Sequence, residues 1–208
     1  MPETPGHSTR LEAIGSAAAG IAHDLNNQLT LILNHLEQPD VDAAREATRR
    51  CSALTAALLS YCKGEAPVLR PLRVGPFLRA FFEGGHIPPR IQLAMDIPEA
   101  LPDIRADPVA LTRVLANLVA NACHAMCGAG VLHVRATRGI ISLSDTGPGI
   151  PAGAVERIFN PFFSTKGASG SGLGLAIVKQ VMLAHGGSVT VESSPGRGAK
   201  FTLRFRTC

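Results

Sequence analysis

The chain has 208 residues, 46% of them hydrophobic, with a formal net charge of +4 and no tryptophan. That is enough apolar material for one large domain or two modest ones, with a core of Leu, Ile, Val and Ala and no need of metal or disulfide support. Lys and Arg are scattered, so nucleic acid is not expected as a partner; no apolar run approaches the roughly 18 residues of a membrane span, and residues 1–8 lack a signal-peptide layout, so a cytoplasmic protein with no direct membrane anchor is expected.

From Leu11 to Leu36 the apolar residues fall at 11, 14, 18, 21, 25, 29, 32 and 36. This is a coiled-coil seam with one local stutter. Gln38-Pro39-Asp40 stops the first helix, because Pro39 cannot continue it, and Asp40 is a good cap for the next. A second seam runs through Ala44, Ala47, Cys51, Leu54, Leu58 and Tyr61. The pattern predicts an antiparallel helical hairpin, whose seam at about 1.5 Å per residue runs roughly 40 Å along the first helix. One hairpin cannot cover that seam from both sides, and a homodimeric four-helix bundle can.

Gly64 to Pro71 reads as a linker, which divides the chain into a helical domain over 1–66 and a second domain over 67–208. In the second domain Ile91 to Met95 reads as a strand, and Pro108 to Met126 as a long amphipathic helix capped by Asp107. Val131 to Ala136 and Ile140 to Ser144 read as a hairpin. Leu173 to Ala184 reads as a helix stopped by Gly186, and strands follow at Ser188 to Glu192 and Ala199 to Phe205. This order gives an α+β fold, with a two-layer α/β sandwich after the hairpin. The cysteines at 51, 62, 123, 127 and 208 match no disulfide framework or metal cage, and Cys123 and Cys127 read as small buried helix residues.

With Leu11 at heptad position a, His23 falls at f, facing away from the seam into water. Asn27 lies one turn further along the same face and Asp24 about 100° around from His23. An exposed His amid polar residues is by itself ordinary. A neutral imidazole at cytosolic pH is nonetheless a competent nucleophile, and a neighbouring carboxylate can hold its far nitrogen or accept its proton.

The stretch Gly20-Ile-Ala-His23-Asp24-Leu-Asn-Asn27-Gln-Leu resembles the phosphoacceptor box of sensor histidine kinases, in the variant where His-Asp replaces His-Glu and two asparagines follow. Leu25 stands where this variant more often has Phe. Three later motifs are similar to the N, G1 and G2 boxes of GHKL ATPases: Asn117-Leu-Val-Ala-Asn121-Ala, Asp145-Thr-Gly147-Pro-Gly149, and Gly170-Ser-Gly172-Leu173-Gly174-Leu. Between the last two, Phe159-Asn-Pro-Phe162-Phe163-Ser-Thr-Lys166 resembles the F box and ATP lid. Any one Gly-rich turn is weak, but four boxes in this order are specific.

The resemblance implies a dimeric four-helix bundle followed by a Bergerat-type ATP-binding domain. It implies His23 as the phosphorylated residue, Asp24 as the assisting acid, and Asn27 as the group that positions water when a partner is dephosphorylated. Asp145 would accept the exocyclic amino hydrogen of adenine, and Asn121, with Asn117 one turn away, would offer a neutral oxygen to Mg²⁺. Gly147 and Gly149 would let the backbone approach the base. The N–H groups around Gly170, Gly172, Leu173 and Gly174 would receive phosphates at a helix start, with Lys166 adding charge and the phenylalanines packing the lid's base. ATP and Mg²⁺ are the implied cofactors; a response regulator receiver domain, an upstream sensor and a second copy are the implied partners, with residues 64–71 as the hinge between nucleophile and nucleotide. Two other readings are a histidine phosphotransferase or phosphatase with a relic nucleotide domain, which the intact boxes oppose, and a non-kinase GHKL ATPase, which the hairpin of residues 9–63 opposes.

Overall fold

The computed structural model describes residues 25–27, 29–35, 37, 40–63, 66–85, 87–165 and 172–207. Among them no helix is long and apolar enough to cross a membrane. The chain divides into two compact units, Met1–Glu65 with Asn160–Leu173, and Ala66–Phe159 with Gly174–Cys208.

In the first unit, residues 25–27, 29–35 and 37 are helical, and helix α1 spans Val41–Lys63. Asp40 caps α1 as expected, its Oδ1 accepting the Ala43 N–H at 3.0 Å. Ala44 and Ala47 of the second seam are 5% exposed, whereas Leu29 and Leu33 are 49% and 62% exposed. The apolar surface of the first helix is thus only partly covered by its own chain. The Gln38-Pro39 stop lies outside the described residues.

The second unit runs β1 (Arg70–Leu72), α2 (Val74–Glu83), β2 (Ile91–Asp96), β3 (Ile104–Ala106), α3 (Pro108–Ala125), β4 (Gly130–Thr137), β5 (Ile140–Asp145), α4 (Ala152–Val155), α5 (Gly174–Ala184), β6 (Ser188–Ser193) and β7 (Ala199–Arg204). Five strands form one sheet in the order β2-β4-β5-β7-β6, and β1 pairs antiparallel with β3 beside it. Within the sheet only the β2–β4 pair is parallel. Helices α3 and α5 pack on each other, α3 against β5 and α5 against β6, which gives the expected two layers. Their shared core includes Leu78, Leu115, Leu118, Leu132, Ile141, Met182 and Leu203, each less than 2% exposed.

Two expectations are corrected. The linker does not extend to Pro71, because Arg70 and Pro71 belong to β1, opposite Ala106 and Arg105; Gly64 lies outside the described residues. Cys127 is exposed, not a buried helix residue, and Cys123 is only half-buried. Cys127 sits past the end of α3 at φ 51, where the Gly128 N–H reaches the Cys123 carbonyl and the Cys127 N–H reaches that of His124. That is a Schellman turn, which glycine usually closes because a Cβ is unfavourable there. Helix α2 carries Pro76 in its first turn, where no intrahelical N–H is needed, so the Gly75-Pro76 pair that looks like a breaker starts a helix.

The start of α3 is fastened by one carboxylate. Asp107 Oδ1 accepts the N–H of Val109 at 2.9 Å and of Ala110 at 3.3 Å. Its Oδ2 accepts the Val68 N–H at 3.0 Å. The Asp107 N–H donates to Nε2 of the buried His185, whose Nδ1 lies 2.8 Å from the Val181 carbonyl, so the imidazole is held as the Nδ1–H tautomer. The segment before β1, the start of α3 and the end of α5 are thereby joined.

Candidate functional site

Period-two alternation places Ile141, Leu143 and Asp145 on the core face of β5. The third is a carboxylate where the pattern calls for an apolar residue, and it is only 6% exposed. Its Oδ1 accepts the Gly147 N–H at 2.9 Å and the Ala199 N–H at 3.3 Å. Among the described residues no donor is assigned to Oδ2. Burial pushes this carboxyl above the ordinary range, and the N–H groups of Gly147, Ala199 and Asp145 itself offset that only in part. A buried carboxylate oxygen at the end of a strand, with no assigned donor from another described residue, suits a ligand N–H.

The loop after β5 folds back onto α3. A Cβ on Gly147 would lie 2.9 Å from Asp145 Oδ1 and 3.2 Å from Ala125 Cβ. Gly149 has φ 78, and a Cβ there would come 2.2 Å from the Ser194 carbonyl oxygen, so glycine is needed on both counts.

Along α3, Asn117, Asn121 and Ala125 recur every fourth residue and are half-buried, forming a stripe at the margin of the core. Gly174, the first residue of α5, meets this stripe: a Cβ on it would lie 3.0 Å from Asn117 Oδ1 and 3.9 Å from Asn121 Nδ2. Asn117 is oriented by its own Nδ2, which donates to the Arg113 carbonyl at 2.9 Å. Two amide side chains thus line the start of a helix. A helix start suits a phosphate, and a neutral amide oxygen such as Asn117 Oδ1 beside it suits Mg²⁺.

The second unit therefore gathers Asn117, Asn121 and Gly174 at one locus and Asp145, Gly147 and Gly149 at another, both flanking α3. Phe159 packs edge-to-face on Phe201 of β7 at 6.4 Å. In the first unit Phe162 and Phe163 are half-buried. The Phe162 N–H donates to the Gly172 carbonyl at 3.0 Å, and a Cβ on Gly172, at φ 63, would meet the Phe162 backbone at 2.4 Å. Leu173 is fully buried there. Asn27 is exposed on its helix. His23, Asp24, Lys166 and Gly170 lie outside the described residues.

Sequence reasoning missed Ser193, Gly198 and Ala199, which hold the Asp145 loop from the other side. The signal was the Ser193-Ser-Pro-Gly-Arg-Gly198 turn, Gly-rich like the three boxes.

Residues 106–207 match the family of histidine kinase-, DNA gyrase B- and HSP90-like ATPases. The sensor histidine kinase ZraS of Escherichia coli O157:H7 is 36% identical over 93% of this chain. The chain belongs to the sensor histidine kinase family. It spans 46% of the length of that ZraS. The histidine kinase AtoS of Escherichia coli K12 is 28% identical over 93% of this chain and is matched over 35% of its own length. Among solved structures, full-length ShkA in complex with AMPPNP shares 30% identity at a TM-score of 0.69, with 95% of this chain and 46% of that one covered. Histidine kinase ThkA, solved with the response regulator TrrA, has the same fold at a TM-score of 0.81 and 22% identity, over 98% of this chain and 64% of that one.

Proposed function

We propose that this sensor histidine kinase transfers the γ-phosphoryl group of ATP to His23 and passes it to an aspartate of a response regulator receiver domain, working as a homodimer through the helical hairpin. The observation that carries the reading is the Asp145 carboxylate, buried on the core face of β5 with Oδ1 taken by two backbone N–H groups and no described donor on Oδ2. An acceptor so held receives the amino hydrogen of adenine and disfavours a 6-oxo purine. Asn121 would hold Mg²⁺, which when bound neutralises charge on the phosphates, and Asn117 lines the same locus. Gly170, Gly172, Leu173 and Gly174 would offer backbone N–H groups to phosphate oxygens, with Lys166 as a point charge.

Phosphoryl transfer needs positioning and charge stabilisation more than covalent help from the protein. His23 serves as the nucleophile through a neutral imidazole nitrogen, and Asp24 orients the ring or takes its proton. The part of the 64–71 linker that precedes the Val68 tie to Asp107 would supply the hinge between the hairpin and the nucleotide domain. Asn27 would position water for hydrolysis of the partner's aspartyl phosphate. The exposure of Leu29 and Leu33 supports a second copy on the hairpin. The AMPPNP complex of ShkA supports the nucleotide, and the complex of ThkA with TrrA supports the partner class.

The test is incubation with labelled ATP and Mg²⁺. An acid-labile, alkali-stable phosphoprotein is expected, absent in His23→Ala and chased by a receiver domain. Label that persists in His23→Ala would overturn the assignment.

A further inference from the structure

The turn between β6 and β7 contains no residue assigned a nucleotide contact above, yet it is fitted closely against the Asp145 loop. Ser193 ends β6 and pairs with Ala199, which begins β7. The Ser193 Oγ accepts the Ile150 N–H at 2.8 Å and donates its single proton to the Gly198 carbonyl at 2.6 Å. The Gly196 N–H donates to the Pro148 carbonyl at 2.7 Å. Gly198 has φ 70, and a Cβ on it would lie 1.9 Å from the Asp145 carbonyl oxygen. Backbone therefore touches backbone at both ends of the 145–150 loop, and the Ser193 side chain bridges loop and turn at the far end. The next N–H along, that of Ala199, reaches Asp145 Oδ1.

We propose that Ser193, acting through Gly198 and Ala199, is a positioning residue that fixes the Asp145 carboxylate and so sets the preference for a 6-amino over a 6-oxo purine nucleotide. The proposal rests on the reading of Asp145 as the adenine acceptor. The Ser193 hydroxyl closes the turn onto the loop. The turn presents the Ala199 N–H, and that N–H with Gly147's pins Oδ1. Oδ2 is left as an acceptor in a defined place. At the 6-position only an amino group can use that acceptor, so loosening the hold costs ATP and spares inosine triphosphate, whose 6-oxo group has no proton to give. The same arrangement makes the site invertible. Two N–H donors converge on Oδ1, so an asparagine at 145 must put its oxygen there and its NH₂ at the other position, where it donates to a 6-oxo group.

The experiment is calorimetric titration of the whole chain with Mg-ATP and Mg-ITP. Ser193→Ala is expected to weaken ATP roughly tenfold, the effect of one hydrogen bond to a charged group misplaced, with ITP little changed, and Ser193→Thr to restore ATP. Asp145→Asn, which is isosteric, is expected to bind ITP more tightly than ATP. Equal losses of both nucleotides in Ser193→Ala, no loss, failure of the Thr variant to rescue, or continued ATP preference in Asp145→Asn would each overturn the proposal. Asp145→Ala separates the two levels. If it loses ATP while Ser193→Ala does not, only the positioning role falls; if it keeps ATP, the adenine site itself is misassigned.

Discussion

Asp107 and Asp145 flank the same helix and are used in opposite ways. Asp107 is spent on the fold: three backbone N–H groups converge on its two oxygens. Burial pushes its carboxyl up, but the N–H groups of Val68, Ala110 and Val109 outweigh that and leave it below the ordinary value of 3.8. Asp145 is more deeply buried, carries two N–H donors on one oxygen, and is left above the same value. A fully partnered carboxylate stabilises the native state, whereas one held with an oxygen unassigned is destabilising until something donates to it. On the proposed function, the pair separates a structural acid from a binding acid in one domain.

Substitutions at these sites put that contrast to the test. Gly198→Ala should do most damage, because a Cβ there meets the Asp145 carbonyl and the left-handed backbone disfavours a side chain; a loss of about 3 kcal/mol in urea unfolding, together with ATP binding, is expected. Asp107→Ala removes the cap of α3 and the tie to Val68, and should cost about 2 kcal/mol in the same assay. ATP affinity measured well below its melting midpoint should stay close to wild type. A nucleotide defect there as large as the stability defect would erase the distinction.

Acid titration of stability provides the finest test, with opposite signs for the two acids. Asp107 has a lowered folded pKa, so its contribution is present above 3.8 and is lost as pH falls through the folded value. Asp145 has a raised folded pKa, so its buried charge costs stability above that folded value, and the cost vanishes as pH falls below 3.8. Asp107→Asn should therefore be less stable than wild type at pH 7, with the deficit shrinking in acid. Apo Asp145→Asn should be slightly more stable at pH 7, with the advantage shrinking in acid. Thermal melts across pH 2.5 to 7, a range spanning the ordinary carboxylate value of about 3.9, would show whether the two differences run in opposite directions.

Much of this was legible in the chain. The helix over Pro108–Ala125 with its Asp107 cap, the β4–β5 hairpin, Gly186 as the stop of α5 and the last two strands each carry a local signal, whether a cap, an alternation or a glycine. Asp145, Gly147 and Gly149 were legible because close approach admits few residue types. What was not legible is long-range. The parallel β2–β4 pair joins segments separated by α3, and periodicity says nothing of which strands meet. Val68 bonded to Asp107 and Ser193 bonded to Ile150 depend on tertiary placement, with separations of 39 and 43 residues. Cys127 went astray because a helix period does not announce that its last turn ends in a left-handed residue.

The most direct measurement is calorimetric titration of Mg-ATP into wild type, Asp145→Ala and Asp107→Ala at a temperature where all three are folded. Loss of affinity by about 100-fold in Asp145→Ala, as for a ligand deprived of a charged hydrogen-bond partner, with near wild-type affinity in Asp107→Ala, is the predicted result. Undiminished ATP binding in Asp145→Ala would contradict it.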